Sequence, residues 1–243
     1  MLLDILDATE AGGSRQTGGS SCNHCAVREK AICASLGSED LAELNRLGRH
    51  VRLRRGQTLL WESDDSLLVG NVLAGMLKLS TITSDGREQI VGMVFPSDFI
   101  GRPFGGSSGH TVTALTDAKL CLFPRRGFDG FATCHRDVER ALLRRTLDEL
   151  DRARHWMLLL GRMSATEKVA SLLVEMTERF GGNGGAEIVL PLTRQQMGDL
   201  LGLALETVSR VMTRLKDAGA IALPGGRRLV VTNLFALTRI AGH

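Results

Sequence analysis

Residues 192–216 read LTRQQMGDLLGLALETVSRVMTRLK, and the stretch has the pattern of two short helices joined by a tight turn. Thr193 is a good N-cap for a first helix through Leu200, because its hydroxyl accepts a hydrogen bond from a free backbone N–H. Gly202 permits the turn, and residues 206–216 form the second helix. The stretch therefore predicts a helix-turn-helix, whose second helix enters the major groove of DNA.

The second helix has an apolar face, formed by Val208, Val211, Met212 and Leu215, and a polar face that points outward. Its polar side chains have direct base chemistry: Arg bonds guanine, Glu accepts from cytosine, and Ser adapts to several bases. An ordinary helix surface also exposes such residues, but the complete two-helix frame favours DNA binding. A hairpin follows at residues 224–231, where two arginines would contact phosphates as a wing. The candidate DNA contacts are Glu206, Ser209, Arg210, Thr213, Thr193, Arg194, Arg227 and Arg228.

The positive charge of the chain lies in this C-terminal region. Residues 186–243 contain seven Lys or Arg and four Asp or Glu, and 7 − 4 = +3 equals the formal net charge of the whole chain. A solvated basic face would look the same, so the charge supports a nucleic-acid partner without proving it.

Four cysteines form the second informative pattern. Cys22, Cys25 and Cys33 have the spacing C-x2-C-x7-C, and Cys121 follows far along the chain. Four thiolates suit either zinc or an iron–sulfur cluster, and the spacing alone does not decide between them. The fifth cysteine, Cys134, is expected to pack as a small apolar residue at the start of a long helix.

The middle of the chain changes period. A short helix is expected before this region, with Ser38 as its N-cap. Short β-rich segments separated by Gly, Asp and Ser turns, such as 84–86, then run from about residue 51 to 123 and predict a sandwich or barrel. The predicted strands are 58–61, 67–73, 76–83, 88–95, 111–116 and 119–123. Helical periodicity follows Pro124 and continues to about Phe180, with a capping box at residues 164–167 that starts a new helix. A stripe on the long helix predicts pairing with a second copy, and the alternative is that it packs on the chain's own barrel. Its members are Leu143, Thr146, Leu150, Ala153, Met157 and Leu160.

Bulk properties bound the function class. The chain has 243 residues, 43% of them hydrophobic, which is enough for two domains. It has no apolar run of membrane-spanning length and no signal-peptide pattern, so a cytoplasmic protein with reduced cysteines is expected. The Gly- and Ser-rich residues 11–21 predict a flexible arm, and residues 181–185 predict a loop. No arrangement of nucleophile, base and orienting residue is visible, so an enzyme is not expected.

Taken together, these motifs resemble the CRP/FNR family of bacterial transcription regulators, from Cys22 to Phe235, and FNR-type members in particular. Residues 95–101, FPSDFIG, resemble the family's barrel signature. Residues 206–210, with Glu206, Ser209 and Arg210, match the FNR-type recognition helix. The loop at residues 84–89 resembles the family's activating loop, which implies an RNA polymerase contact at Asp85, Gly86, Arg87 and Glu88.

The resemblance implies that Cys22, Cys25, Cys33 and Cys121 hold a [4Fe-4S] cluster that responds to oxygen, and that a homodimer binds double-stranded DNA at TTGAT palindromes. Arg102 and His110 stand where cyclic-nucleotide members hold ribose and phosphate, so cAMP is an unlikely effector and no membrane partner is implied. A family member with a structural zinc or no cluster, responding to another signal, is the alternative.

Two residues depart from the family pattern. Ala204 replaces a common Thr N-cap, and Ala153 stands in the dimer seam where the family often has an Asp. Because that Asp disfavours dimers without a cluster, Ala153 predicts a blunted oxygen switch.

The expected fold is α+β: an N-terminal cyclic-nucleotide-binding-like β-barrel of jelly-roll type, a long dimerisation helix and a C-terminal winged helix-turn-helix. The expected domains are an arm and cluster-binding loop at 1–37, the barrel at 38–133, the dimerisation helix at 134–163 and the DNA-binding domain at 164–243.

Overall fold

The computed structural model describes residues 22, 24–180 and 187–242. They form two compact units, one comprising the described residues up to 81 with 91–149, the other residues 82–90 with those from 150 onward. The predicted arm at 11–21 and loop at 181–185 lie outside the described residues. No helix within these ranges combines the length and the apolar character that crossing a membrane requires.

The first unit is built around two four-stranded sheets, with strand orders β1-β8-β3-β6 and β2-β7-β4-β5. Consecutive strands mostly alternate between the sheets, so the predicted jelly roll is confirmed. The predicted turn at 84–86 joins β4 to β5, with Gly86 at φ 84°. The strands are β1 (Arg49–Leu53), β2 (Thr58–Leu60), β3 (Leu68–Ala74), β4 (Leu77–Ile82), β5 (Glu88–Val94), β6 (Phe99–Ile100), β7 (Thr111–Ala114) and β8 (Ala118–Pro124).

Two of these strands were absent from the sequence prediction. β1 is an edge strand that pairs only with β8, from Arg49 opposite Leu122 to Leu53 opposite Ala118. Its first four residues are not buried, so it lacks the apolar alternation that marks a strand. β6 contains two residues, which is too short for any periodicity.

The helices of the first unit cover one end of the sheets. A 3-10 turn at Ile32–Ser35 is followed by α1 (Ser38–Leu47), and α2 (Arg125–Cys134) and α3 (Arg136–Arg162) follow the barrel. A cluster of buried residues joins them to the sheet and includes Ile32, Leu44, Val69, Phe123, Phe128 and Val138. The remaining core lies between the sheets, around Leu53, Leu60, Leu77, Ile100, Val112 and Leu120.

Three helix predictions need correction. Gly37, not Ser38, is the N-cap of α1, because Gly37 has the extended backbone and its carbonyl accepts from the Leu41 N–H at 3.0 Å. The helical region after Pro124 is interrupted at His135, whose ring stacks on Phe131 and bonds the Phe131 carbonyl at 2.7 Å. The long helix therefore begins at Arg136 rather than 134.

Cys134 was also predicted wrongly. It is exposed rather than packed. It is the last residue of α2, whose buried positions are Phe128, Phe131 and Ala132.

The stripe along α3 is exposed in the single chain. Leu143 is 60% exposed, Met157 72%, and every other member is also exposed. Leu143 and Thr146, the members of the stripe that lie in the same unit as the barrel, therefore do not pack on it. An apolar row of this length is unusual on a monomer surface.

The second unit contains the predicted helix-turn-helix. The capping box at residues 164–167 is present, because the Ser164 N–H donates to Glu167 Oε2 at 2.6 Å and the Glu167 N–H donates to Ser164 Oγ at 3.4 Å. A small sheet in the order β10-β11-β9 flanks the helices. The elements are α4 (Ala165–Phe180), β9 (Ile188–Val189), α5 (Arg194–Leu201), α6 (Leu205–Asp217), β10 (Ile221–Gly225), β11 (Arg228–Val231) and α7 (Leu234–Ile240).

Candidate DNA-binding surface and cysteine site

The turn between α5 and α6 is fixed by local chemistry. The Gln196 N–H donates to Thr193 Oγ1 at 3.1 Å and the Thr193 N–H donates to Gln196 Oε1 at 2.9 Å, which forms a capping box. Gly202 ends α5 in the left-handed region, at φ 63°. A Cβ on Gly198 would lie 2.4 Å from the Leu203 carbonyl oxygen, so only glycine lets the turn pass this closely over α5.

The recognition helix α6 presents the faces that the sequence predicted. Val208, Val211, Met212 and Leu215 are buried, and the four outward candidates are exposed. Among these, Arg210 reaches back to Thr207, with Nη2 3.4 Å from Oγ1. Ala204 is the N-cap and supplies no side-chain hydrogen bond. The exposed face consists of Glu206, Ser209, Arg210 and Thr213.

The remaining candidate DNA contacts divide between exposed and structural positions. Arg194 is half-buried, its Nη1 lies 3.5 Å from the Met197 sulfur, and burial lowers the pKa of its guanidinium. Arg227 donates to the Pro191 carbonyl at 3.4 Å, which fastens the hairpin. Arg228 is exposed and pairs with Glu187 at 3.4 Å. The exposed Arg228 is thus the better placed of the two wing arginines to meet a phosphate.

The four candidate cysteine ligands are half-buried in the first unit. Cys22, Cys33 and Cys121 pack on the buried cluster that joins the sheet to its helices. Cys25 follows Cys22 in a turn, its N–H donating to the Cys22 carbonyl at 3.4 Å. Residues distant in sequence therefore meet at one end of the barrel.

Two asparagines and a glycine surround these thiols. Cys22 Sγ donates to Asn45 Oδ1 at 3.1 Å, and Asn71 Nδ2 donates to Cys33 Sγ at 3.9 Å. Asn71 is 1% exposed, and its Oδ1 is a buried atom without a hydrogen-bond partner among the described residues. A Cβ on Gly48 would lie 3.4 Å from Cys121 Sγ and 3.0 Å from Phe123 Cε1, so the glycine lets its backbone pass close to that thiol.

The thiols influence one another electrostatically. Burial, reinforced by the neighbouring thiols, raises the pKa of Cys121 to about 12. Burial and the charges of Cys22 and Cys25 raise the pKa of Cys33 to about 11, partly offset by Arg145. Without a bound cation, Cys33 and Cys121 are therefore neutral thiols near neutral pH, and binding a metal would release their protons.

The described ranges contain no group of three or more His, Cys, Asp or Glu side chains arranged to hold a metal ion. A single zinc ion would bring its thiolates to within about 3.8 Å of one another, since Zn–S bonds are about 2.3 Å long. A four-iron cluster binds each thiolate to a different iron and separates them more widely.

Two loops between strands were also singled out. The turn at residues 84–89 is exposed at its tip, and Asp85 accepts from Thr83 Oγ1 and from Arg87 Nε, the latter at 2.7 Å. These bonds, chiefly that from Thr83, lower the pKa of the Asp85 carboxyl. The acid and base at the tip therefore pair with each other.

The second loop lies at the candidate nucleotide position. Arg102 and His110 are exposed. Arg125 Nη1 donates to the carbonyls of Gly105 and Gly106, the latter at 2.7 Å. Arg125 thus fastens the carbonyl groups of this loop.

Sequence reasoning missed Asn45, Gly48, Asn71 and Arg145, all of which lie around the cysteines. No motif spacing links them to Cys22 or Cys121. Only the pairing of strands and the packing of helices reveal the connection, as where Asn71 on β3 stands opposite Cys121 on β8.

Comparison with known proteins agrees with this architecture. Residues 50–133 match the cyclic nucleotide-binding domain and residues 167–240 match the Crp-like helix-turn-helix domain. The transcriptional activator protein FnrL of Cereibacter sphaeroides is 44% identical, over 91% of this chain and 92% of its own length. The nitrogen fixation regulation protein FixK of Bradyrhizobium diazoefficiens is 39% identical, over 86% of this chain and 89% of its own length.

A solved structure gives the same result. FixK2 from Bradyrhizobium japonicum superposes with a TM-score of 0.74 at 33% identity, covering 79% of this chain and 96% of that chain. Full-length similarity at these identities, a jelly roll and a helix-turn-helix lead to one conclusion: the chain belongs to the CRP/FNR family of transcription regulators.

Proposed function

We propose that the protein is a cytoplasmic, homodimeric transcription activator, not an enzyme, that senses oxygen through a [4Fe-4S] cluster and controls anaerobic or microaerobic genes at TTGAT-type palindromes. The observation that supports it most is the meeting of Cys22, Cys33 and Cys121 on one buried cluster, with Cys25 close by. The relatives described above, which include the activator FnrL, support the regulatory role.

The surroundings of the thiols fit an iron–sulfur group. Thiolates are the usual ligands of such clusters, and hydrogen bonds to sulfur tune their potential. Asn71 supplies a donor, since its Nδ2 already points at Cys33 Sγ. Asn45 would supply a second donor if its amide turned over, because a bound Cys22 thiolate has no proton to donate.

A bound cluster would supply the oxygen-sensitive chemistry. The residues of this chain would couple its presence to a change of position. Cys22, Cys25 and Cys33 lie before α1, and Cys121 lies on β8, so thiolates that share one group tie this segment to the sheet. Ile32 of the same segment and Val138 of α3 belong to one buried cluster. Fixing the segment thereby restricts the position of the first turns of α3, because the segment and the helix pack in the same cluster.

Dimerisation would cover the exposed stripe on α3. Its apolar members include Leu143, Leu150, Met157 and Leu160, which are 37–72% exposed. A second copy of the same helix is the partner that a self-complementary stripe fits. Two recognition helices would then read half-sites about 10 base pairs apart, as a palindrome requires.

The exposed turn between β4 and β5 would bind RNA polymerase. Its candidate contacts are Asp85, Gly86, Arg87 and Glu88. Cyclic nucleotides would not be the effector, because Arg102 and His110 stand where cyclic-nucleotide members hold ribose and phosphate, and both are exposed. Calorimetric titration with cAMP should therefore give no binding heat, and saturable binding would contradict this part of the proposal.

The test is the DNA affinity of protein prepared without oxygen, measured by fluorescence anisotropy at fixed salt. The labelled duplex contains an inverted TTGAT repeat, and a scrambled duplex of equal composition serves as the control. We expect the anaerobic protein to bind the palindrome at least about tenfold more tightly than the same sample after air, a difference of about 1.4 kcal/mol. It should also prefer the palindrome to the scrambled duplex.

Cys121→Ser and Cys134→Ser form the matched pair for the sensing site. Cys134 is exposed and lies outside the proposed ligand set, so its variant should respond to air like the wild type. Cys121→Ser should lose the response. A wild-type protein whose affinity ignores air would overturn oxygen sensing and favour a regulator with a structural zinc or no cluster. Equal binding to both duplexes would overturn the target sequence.

A further inference from the structure

Arg145 lies on the inner face of α3. It follows the buried Val138 by seven residues, which is close to two helical turns, so both side chains point to the same side. Leu143 of the exposed stripe precedes Arg145 by two residues, which is about 200° around the helix. Leu143 and the Arg145 guanidinium thus lie on different faces of α3.

The Arg145 guanidinium joins three segments of the first unit. Its Nη1 donates to the Ser97 carbonyl at 2.8 Å, and its Nη2 donates to the Lys30 carbonyl. Ser97 lies in the turn between β5 and β6, where its own N–H donates to the Val72 carbonyl at 2.8 Å. Lys30 lies between Cys25 and Cys33, in the segment that we call the cysteine loop (residues 24–33). One side chain therefore connects the cysteine loop, a barrel turn and α3.

The geometry of this connection depends on an arginine. A guanidinium presents donors in a rigid planar fork, so its two terminal nitrogens can satisfy two carbonyls in fixed directions. The Ser97 carbonyl is held by the sheet, whereas the Lys30 carbonyl moves with the cysteine loop. A displacement of the loop therefore changes one of these bonds and leaves the other in place.

We propose that Arg145 is a positioning residue that passes the conformation of the cysteine loop to the dimerisation helix. This inference rests on the proposed function, because it assumes that the four cysteines fix the loop when they share a cluster. With the loop fixed, the guanidinium keeps its hydrogen bonds to both carbonyls and holds the first turns of α3 against the barrel. With the loop released, the bond from Nη2 to the Lys30 carbonyl is lost, while the bond from Nη1 to the Ser97 carbonyl still links α3 to the barrel turn.

The test compares Arg145→Gln with Arg144→Gln. Arg144 is the adjacent residue on α3 and is exposed, so its variant removes the same charge from the same helix without touching the loop. Analytical ultracentrifugation without oxygen gives the dimer dissociation constant of each protein with and without the cluster, and iron analysis gives the loading. We expect the ratio of the two constants to fall at least about tenfold in Arg145→Gln and to stay at the wild-type value in Arg144→Gln.

A second measurement does not need the cluster. Lys-C cleaves after Lys30, and neither substitution creates or removes a lysine. Cleavage of a folded loop requires local opening. In the cluster-free proteins we expect cleavage after Lys30 to be about tenfold faster in Arg145→Gln than in the wild type or Arg144→Gln.

The outcomes separate the two claims. Equal cleavage of the two variants overturns the Arg145 assignment, whether or not the protein binds iron. A wild-type dimer constant that responds to the cluster, together with an unchanged ratio in Arg145→Gln, overturns the transmission role alone. A wild-type protein that binds no iron overturns the proposed function, and the transmission role with it, even if the loop opens faster in Arg145→Gln.

Discussion

Gly48→Ala places one methyl group beside Cys121 and Phe123 and tests how closely the cysteine site is packed. Gly48 has φ −80° and ψ 145°, a conformation that alanine adopts without strain. The new Cβ would lie 3.0 Å from Phe123 Cε1 and 3.4 Å from Cys121 Sγ. Steric contact, not backbone strain, therefore decides the outcome.

Phe123 cannot easily give way. Its side chain is 1% exposed and its ring packs on Phe128 with centroids 5.8 Å apart. Overpacking of this kind costs about 1–3 kcal/mol. Replacing glycine lowers the conformational entropy of the unfolded chain, which stabilises the folded state by about 0.4–1 kcal/mol. The difference between the midpoints of these two ranges predicts that the free energy of unfolding of the first unit falls by about 1.3 kcal/mol.

Urea denaturation of the cluster-free, reduced protein measures this change, with Trp61 fluorescence reporting the barrel in a Trp156→Phe background. Gly130→Ala is the control, because Gly130 lies in α2 with nothing within 4 Å of an added methyl group. That variant should gain about 0.5–1 kcal/mol from helix propensity. If Gly48→Ala is as stable as the wild type or more stable, steric conflict at Cys121 and Phe123 is refuted.

Three further predictions concern the DNA-binding unit and the thiols. Arg210→Ala should lower the free energy of DNA binding by about 1–3 kcal/mol and relax specificity at one base pair. Arg228→Ala should weaken binding to all sequences and reduce the slope of log affinity against log salt by about one. Fluorescence anisotropy with single-base variants of the site measures both effects. Ala204→Thr should raise the unfolding free energy of the DNA-binding unit by about 1 kcal/mol in a thermal melt, because it supplies the missing cap. In cluster-free protein, the raised pKa values of the thiols mean that the folded state binds their protons more tightly than the unfolded state does. The free energy of unfolding that this supplies should be fully present below pH 9.0. It should be lost as the pH rises toward about 11 for Cys33 and about 12 for Cys121. Urea midpoints that show no decline from about pH 8 to about pH 11 would contradict this expectation.

The helix-turn-helix was predictable because its determinants are local. The Thr193 capping box, the turn at Gly202 and the spacing of the buried residues on α6 all lie within residues 192–216. The jelly roll was predictable as a class from its regular turns. Edge strand β1 was not, because its fold comes from pairing with β8 and not from its own apolar pattern.

The interruption at His135 has a similar origin. The helical pattern after Pro124 gave no sign of a break. At the break the His135 ring stacks on Phe131 and its Nε2 lies 3.4 Å from Asp40 Oδ1, and the local apolar pattern specifies neither contact. Around the cysteines, sequence spacing identified the thiols. It could not identify Asn71 or Arg145, which reach the site through strand pairing and helix packing.

Thiol chemistry also explains why a metal identity does not follow from the cysteine pattern. Zinc and iron–sulfur clusters accept the same four donors, and the difference lies in how far apart the protein holds them. That distance is a property of the segment before α1 and of β8, not of the C-x2-C-x7-C spacing.

The central claim is that this regulator senses oxygen through an iron–sulfur cluster, and one experiment tests it most directly. Protein purified without oxygen is followed by visible absorbance through a timed addition of air, with iron, sulfide and zinc assayed on the same sample. We expect a broad visible band that bleaches in air, with about four irons and four sulfides per chain. A colourless protein that holds one zinc ion per chain, or no metal, would contradict the claim.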